Sequence, residues 1–153
     1  MDISSLTKVV RSASRRVFFR HRPLFSPYAA VSLDELRAVE RRIGMAMPDD
    51  LREWLLALGY GDLNEEMSFR EEWFAAIESG QLKGSARFAQ DLLGNFYAFD
   101  ASGHIYFLSR SEPAFSIISE SFSGFIEELV SRDYRLVDWV ASLATRPYEW
   151  QLQ

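Results

Sequence analysis

Hydrophobic and polar residues in the segment 88–110 follow the pattern of short strands joined by tight turns. Runs rich in Phe, Tyr and Ile are separated at Gly94-Asn95 and at Gly103, residues that tolerate the positive φ angles that such turns need. The pattern predicts three antiparallel strands arranged as a meander. Residues 105–108 are apolar without interruption, so we expect that strand to be covered on both faces.

Segments on either side of this meander repeat apolar residues at helical spacing. The predicted helices run from Leu33 to Ile43, from Pro48 to Leu58, from Ser68 to Gly80, from Ser121 through Leu129, and from about Tyr134 to Ala144. Ser32 with Glu35, and Ser68 with Glu71, have the spacing of a capping box. Residues 114–119 add a fourth strand. The order predicts an α+β fold: an antiparallel meander sheet of about four or more strands, covered by N-terminal and C-terminal helices.

Charge divides the chain into two regions. Residues 1–30 carry six basic residues and one acid, a net charge of +5, whereas the other 123 residues carry 21 acids and 11 bases, a net charge of −10. We therefore expect a basic N-terminal arm, residues 1–30, and a single domain over residues 31–153 that ends in a helical extension. An acidic body attracts basic proteins and repels nucleic acid, so we expect a protein partner and no nucleic-acid partner.

The basic arm has three interpretations. Its arginines and serines resemble the composition of an organellar transit peptide. The simpler interpretation is a strand or helix whose Val9, Val10, Val17, Phe18 and Phe19 pack on the body, while its arginines lie along the acidic surface. A nucleic-acid-binding arm is disfavoured because no glycine-rich or aromatic stacking platform accompanies the arginines.

Cysteine is absent, which excludes disulfides and thiolate chemistry and fits a reducing compartment. No apolar run reaches the roughly 20 residues that span a bilayer. These two observations predict a cytoplasmic protein with no membrane partner.

Residue types that carry catalysis or bind metals are sparse. There are two histidines, and His104, which follows Asp100 by four residues, fits a hairpin residue better than a catalytic base. Residues 62–66 place oxygen ligands as a calcium loop does, but Met67 and Trp73 occupy the positions where that loop needs Gly and Glu. We therefore predict no enzymatic activity, no catalytic residue, no metal and no cofactor.

A cluster of acids with interleaved aromatic residues is the best candidate for a binding site. Acids steer a basic partner, and neighbouring aromatic side chains anchor it. The predicted partner-binding residues are Asp62, Glu65, Glu66, Phe69, Glu71, Glu72 and Trp73. The alternative is a solvated, charged loop whose aromatic residues belong to the core.

Motifs in two parts of the chain resemble those of the SUKH superfamily, named partly for fungal regulators of cell-wall synthesis. The first part comprises Leu33 to Leu58, with Glu40, Ile43-Gly44, Pro48-Asp49-Asp50 and Trp54-Leu55-Leu56; the second comprises Asp91, Gly94, Asn95, Tyr97, Asp100, Gly103, Ile105, Tyr106, Ser121, Phe122, Phe125 and Ile126. Two departures are Met45-Ala46-Met47 in place of the usual leucine, and Gly59-Tyr60-Gly61 in place of a glycine pair. The resemblance covers about residues 31 to 131.

The resemblance implies a SUKH-like α+β domain and, for bacterial members, an immunity protein that binds and neutralises a toxin, often a nuclease. Fungal members of the superfamily instead imply a regulatory or scaffold module. We therefore expect a non-enzymatic protein-binding domain that neutralises a bacterial toxin through an acidic surface. The alternative is a regulatory or scaffold module without a toxin partner.

Overall fold

The computed structural model describes residues 1–148, which form five α-helices, one 3-10 helix and eleven strands. The helices are α1 (Ile3–Ser12), α2 (Leu33–Ile43), α3 (Asp49–Leu58), α4 (Phe122–Ser131) and α5 (Leu136–Ala141), and the 3-10 helix is Glu71–Trp73. The strands are β1 (Ser14–Val17), β2 (Arg20–Pro23), β3 (Phe25–Ala29), β4 (Tyr60–Leu63), β5 (Met67–Phe69), β6 (Ala75–Ala76), β7 (Ala86–Asp91), β8 (Phe96–Phe99), β9 (Ile105–Leu108), β10 (Ala114–Ser119) and β11 (Arg146–Pro147). Part of the predicted C-terminal extension, residues 149–153, lies outside the described residues.

Nine of these strands form one antiparallel sheet, and eight of them follow the order β11-β10-β9-β8-β7-β5-β4-β3. Strand β6 also pairs with β7, next to β5. The predicted meander corresponds to β7, β8 and β9, and the predicted fourth strand is β10. The α+β fold, with an antiparallel sheet and N-terminal and C-terminal helices packed on it, is therefore confirmed.

One face of the sheet packs against the helices and forms the main core. Trp54 of α3 lies at its centre, with its ring 5.5 Å from that of Phe69, 5.6 Å from Phe122 and 6.0 Å from Phe25. The α1 residues Leu6 and Val10 join the same core. Large aromatic side chains each bury on the order of 150–250 Å², so this aromatic cluster dominates the stabilising burial.

The opposite face of the sheet carries a smaller apolar cluster. Leu82, in the loop before β7, is buried with Ala98 and Leu108, and Phe96 packs against them. Because side chains alternate along a strand, Tyr97 in β8 faces the main core instead. Strand β9 is consequently covered on both faces, as its uninterrupted apolar sequence predicted.

The turn between β7 and β8 is closed by a buried carboxylate. Asp91 Oδ1 accepts hydrogen bonds from the amides of Leu93 and Asn95, both at 3.0 Å. Its Oδ2 accepts from Asn95 Nδ2 at 3.0 Å and from the Tyr97 hydroxyl at 2.7 Å. Gly94 has a φ of 88°, which a residue with a Cβ rarely adopts. The turn is therefore held by four hydrogen bonds to one carboxylate.

The helix predicted from Ser68 to Gly80 is wrong. Its residues form β5, the 3-10 helix and β6, and β5 is hydrogen-bonded to β4 on one side and to β7 on the other. The Ser68 hydroxyl accepts from Arg70 Nε at 2.9 Å, so it does not cap a helix. Met67 and Phe69 point into the core from alternate positions of the strand. Sheet pairing on both sides thus overrides the local helix signal.

The basic arm forms α1, the separate β1–β2 hairpin and the edge strand β3 of the large sheet. At the hairpin base, Arg15 pairs with Asp133 and Arg22 with Glu65, which agrees with arginines lying along the acidic body. In contrast, of the five apolar residues predicted to pack on the body only Val10 is buried, because Val9, Val17, Phe18 and Phe19 are exposed. Phe18 and Phe19 form the two-residue turn between β1 and β2 and are 89% and 95% exposed.

The last helix is shorter than predicted. Asp133 and Tyr134 have φ angles of 55° and 62°, so the helical backbone cannot begin until after them. None of the helices within residues 1–148 is long and apolar enough to cross a bilayer.

Candidate partner-binding surface

The seven predicted partner-binding residues lie along β4 and β5 and beyond both ends of β5. Asp62 is on β4, Glu65 and Glu66 are in the turn that precedes β5, and Glu71, Glu72 and Trp73 form the 3-10 helix that follows it. The structure therefore separates Glu65 and Glu66 from Glu71 and Glu72, which lie at opposite ends of this short strand, and places Asp62 opposite Ser68 at its middle.

Phe69 is a core residue. Its side chain is fully buried, and its ring lies 5.5 Å from that of Trp54 and 6.3 Å from that of Phe88. In the folded chain it therefore has no surface to offer a partner, because Phe69 points from β5 towards the helices. Alternation along a strand predicts this burial, but the spacing of Ser68 and Glu71 favours a helix instead.

The acids in the turn before β5 stabilise the fold. Glu65 forms an ion pair with Arg22 of the hairpin. Glu66 Oε1 accepts from the Val137 amide at 2.8 Å, and its Oε2 accepts from Asn64 Nδ2 at 3.1 Å. These contacts tie the turn to the hairpin and to the start of α5, so this end of β5 is engaged within the molecule.

The other end of β5 presents a surface of mixed aromatic and charged side chains. We define the Tyr28 surface as Tyr28, Asp62, Arg70, Glu71, Glu72 and Trp73. The Tyr28 ring is half exposed, its hydroxyl donates to the Phe69 carbonyl at 2.8 Å, and the Arg70 guanidinium lies 4.8 Å from the ring centroid. Burial of the hydroxyl raises the pKa of Tyr28 to about 12, the Arg70 charge opposes this, and the charges of Glu72 and Asp62 add to it. The charged groups of the surface therefore lie close enough to Tyr28 to act on its ionisation.

Buried polar atoms without a partner are concentrated beside this surface. Asp62 Oδ1, Trp73 Nε1 and the Tyr60 hydroxyl have no hydrogen-bond partner within residues 1–148. Burial raises the pKa of Tyr60 to about 12, and the neighbouring Glu71 charge contributes. Buried polar groups in folded proteins are almost always paired. Trp54 Nε1, at the centre of the main core, likewise has no hydrogen-bond partner within residues 1–148, so an unpaired buried atom does not by itself mark a binding site.

Arg42 of α2 holds the 3-10 helix in place. Arg42 donates to the Phe74 carbonyl at 2.7 Å and to the Glu71 carbonyl at 3.1 Å. These two charge-assisted hydrogen bonds fix the backbone that presents Glu71, Glu72 and Trp73. The contact between α2 and the 3-10 helix therefore supports the candidate surface.

The Asp100–His104 pair belongs to a second turn built like the first. Asp100 Oδ1 accepts from the amides of Ser102 and His104, and its Oδ2 accepts from the Tyr106 hydroxyl at 2.9 Å and lies 3.0 Å from His104 Nδ1. Burial raises the pKa of Asp100, but the hydrogen bonds from Tyr106 and His104 outweigh it, so its pKa lies below the ordinary value. Burial, together with the hydrogen bond to Asp100, raises the pKa of Tyr106 to about 12.

This second turn repeats the arrangement of the first at a spacing of nine residues. His104 stands where the first turn has Asn95, and an asparagine has no acid–base chemistry to offer. The arrangement is therefore explained by turn closure, and a catalytic role is not needed to account for it. The shared sequence Asp-x-x-Gly-[Asn/His]-x-Tyr is the signal in the chain that indicates two turns of the same construction.

An open cleft of about 490 Å³ collects carboxylates that the sequence pattern did not group. It is lined by Asp49 and Asp50 from the start of α3, by Asp100 and by Glu120. Asp50 Oδ2 accepts from the Ser123 amide at 2.8 Å, which links α3 to α4. Within residues 1–148, no group of three or more His, Asp or Glu side chains is arranged to hold a metal ion.

The chain matches the model of one protein family. The family model of the SMI1/KNR4 family (SUKH-1) matches residues 30–128, about two-thirds of the chain. The chain belongs to the SUKH-1 family. Searches of curated proteins and of solved structures returned no match. SUKH-1 domains often act as immunity proteins and are generally non-catalytic. The matched residues run from before α2 into α4, so α1 and the β1–β2 hairpin lie outside the SUKH-1 match.

Glu40, a residue of the SUKH-1 resemblance, has a structural role. Its Oε2 accepts from the Met47 amide at 2.8 Å and from Arg52 Nη2 at 2.8 Å, so it fixes the connection between α2 and α3. Hydrogen bonding to Glu40 raises the pKa of Arg52, against an opposing effect of burial. Gly44 ends α2 with a φ of 76°. Glu40 and Gly44, both within the matched residues, thus fix the connection between α2 and α3.

Proposed function

We propose that this SUKH-1 chain is a non-enzymatic, protein-binding immunity domain that acts in the cytoplasm and neutralises a toxin through the Tyr28 surface. The observation that carries the proposal is the half-exposed Tyr28 ring, which has the Arg70 guanidinium 4.8 Å from its centroid and shares its surface with the exposed acids Glu71 and Glu72. Family membership supplies the class of function, and this surface supplies a place for a partner.

Charge favours a toxin with a cationic site, such as a nuclease. A nuclease presents basic side chains to phosphate, and a negatively charged surface can occupy those side chains. The chain outside the basic arm carries a net charge of −10. Complementary charge speeds the encounter between two proteins and excludes wrong partners, even where it adds little to affinity.

The residues of the Tyr28 surface divide the work of binding. Glu71 and Glu72 are exposed and attract a basic partner. The exposed Tyr28 ring, stacked against Arg70, provides a rigid aromatic contact of the kind that dominates interface energies. Glu65 and Glu66 contribute to the negative field but are held by contacts within the chain.

Co-expression with candidate toxins encoded beside this chain tests the proposal. We expect the chain to form a complex with the toxin and to protect cells. The double variant Glu71→Lys and Glu72→Lys should slow association more than tenfold at low salt. The matched control is Glu53→Lys with Glu112→Lys, which makes the same charge change at two exposed acids elsewhere. Equal decreases of the association rate in the two double variants would assign the effect to net charge and would remove the Tyr28 surface from the proposal.

A regulatory or scaffold module of the SUKH type is the second candidate, since the matched family model carries the name of such regulators. Affinity capture of signalling or envelope proteins, together with no protection against any toxin encoded nearby, would favour this function over immunity. Toxin protection that depends on the Tyr28 surface would exclude it.

A further inference from the structure

The β1–β2 hairpin exposes an apolar tip that nothing within residues 1–148 covers. Val17, Phe18 and Phe19 are adjacent, and the two phenylalanines are almost fully exposed. Six of the eight residues in the two strands are exposed, and neither strand pairs with the large sheet. Burying these rings on contact with another surface is favourable, because each phenylalanine brings a large apolar area.

Unpaired positive charge surrounds this tip. Arg16 precedes Val17 and Arg20 follows Phe19, and neither arginine forms an ion pair within the described part of the chain. Two acids of the body, Glu65 and Asp133, pair with Arg22 and Arg15, which are three residues back from the turn. At about 3.3 Å per residue this is roughly 10 Å. Screening at physiological salt acts over about 8 Å, so the negative body is largely hidden from whatever meets the tip.

Contacts at the base of the hairpin fix its position. The Leu24 amide donates to the Ala13 carbonyl at 3.1 Å, and the Asn64 amide donates to the Leu24 carbonyl at 2.6 Å. Arg15 Nη2 also donates to the Asp133 carbonyl at 3.1 Å. The tip is thus held in place before any contact, which lowers the entropy lost on docking.

We propose that the β1–β2 hairpin docks peripherally on an anionic lipid surface. Phe18 and Phe19 enter the interface between headgroups and acyl chains, and Arg16 and Arg20 contact headgroup phosphates. This combination of a buried apolar element with flanking basic residues is what interfacial binding requires. The sequence predicted no membrane partner because no segment can span a bilayer, but a peripheral contact needs no such segment.

Charge and shape favour lipid over the other anionic surfaces. Nucleic-acid affinity grows with the number of phosphates neutralised, and two unpaired arginines at the tip neutralise few. A protein partner would need a concave site to receive the tip, whereas a bilayer receives any protruding apolar tip. The hairpin lies outside the matched residues 30–128 and outside the Tyr28 surface, so this inference is independent of the proposed function.

Vesicle flotation with the full chain tests the inference. The probes are vesicles of phosphatidylcholine mixed with phosphatidylglycerol, and vesicles of phosphatidylcholine alone. We expect binding to the anionic vesicles that weakens in 1 M salt, where screening acts over about 3 Å. Replacing both rings, by Phe18→Ser with Phe19→Ser, should weaken partitioning about tenfold or more. Arg16→Glu with Arg20→Glu should abolish the preference for anionic lipid.

Two control variants match the changes in composition. Leu56→Ser with Ile117→Ser removes two exposed apolar side chains elsewhere, and Lys8→Glu with Lys83→Glu reverses two exposed charges elsewhere. Both controls should bind vesicles nearly as the unaltered chain does. Absence of vesicle binding, or binding that the hairpin variants do not weaken more than the controls do, would overturn the inference. Hairpin-dependent capture of a protein or nucleic acid without vesicle binding would overturn it as well.

Discussion

The two turns of equal construction allow one substitution to be compared in two environments. Tyr97 donates to Asp91 at 2.7 Å and Tyr106 donates to Asp100 at 2.9 Å. Tyr97 and Asp91 are buried, whereas Tyr106 and Asp100 are partly exposed. Changing each tyrosine to phenylalanine removes an equivalent hydroxyl from an equivalent hydrogen bond. Any difference between the losses of unfolding free energy in the two variants therefore reflects the difference in burial.

The magnitudes follow from what can replace the lost hydrogen bond. A hydrogen bond to a charged group contributes about 1.5–3 kcal/mol. In Tyr97→Phe, the buried Asp91 keeps its bonds from Leu93 and Asn95, but water cannot reach the vacated side of Oδ2. We expect this variant to lose about 2–3 kcal/mol of unfolding free energy.

In Tyr106→Phe, water can replace the hydroxyl, because about a fifth of the Asp100 side chain is exposed. A loss of about 0.5–1 kcal/mol is expected. Urea unfolding followed by tryptophan fluorescence measures both values, with unchanged m-values as the check that only stability has altered.

His104→Asn completes the comparison, because it gives the second turn the residue of the first. We expect it to change the unfolding free energy by less than about 0.5 kcal/mol, as for other surface substitutions. If Tyr106→Phe costs as much as Tyr97→Phe, or if His104→Asn costs more than either, then turn closure and burial do not explain these residues and our reasoning is refuted.

Three further predictions concern the core, a close strand contact and the tyrosines. Trp54→Ala should cost about 3–5 kcal/mol, measured by urea unfolding, because this fully buried ring packs against three others; a cost below 1 kcal/mol would contradict its central position. Gly61→Ala places a Cβ 2.5 Å from the Ser26 carbonyl oxygen, so hydrogen exchange should show lost protection in β3, and full protection would contradict the contact. Burial raises the pKa of Tyr60 and of Tyr106 to about 12, so the unfolded chain ionises first. Stability should therefore fall as pH rises from about 10 to 12; phenolate absorbance that rises fully near pH 10 in the folded chain would contradict this.

Local sequence patterns were sufficient for the first helix pair and for the meander. The Ser32 hydroxyl accepts from the Glu35 amide at 3.1 Å, and Glu35 Oε1 accepts from the Ser32 amide at 3.2 Å, as their spacing predicted. Gly44 ends the same helix in the left-handed conformation. The residues that make these contacts lie within a few positions of each other, so a short stretch of sequence around them is enough to predict the contacts.

The same local pattern failed at Ser68 and Glu71, where a strand formed instead of a helix. A cap contributes about 1 kcal/mol, whereas β5 pairs with β4 and β7 and buries Met67 and Phe69. The strands that compete for this segment come from distant parts of the chain. A pattern confined to four residues therefore cannot predict whether this segment forms a helix or a strand.

The family, the fold class, most helix caps and the strand turns can be predicted from the amino-acid sequence, because each depends on residues close together in the chain or on motif order. Which side chains reach the surface is known only from the folded arrangement. That arrangement buried Phe69, engaged Glu65 and Glu66, left Asp62 and Trp73 with unpaired atoms, and exposed the rings at the hairpin tip. Exposure depends on which distant elements pack over a residue, and residue type and spacing do not specify that packing.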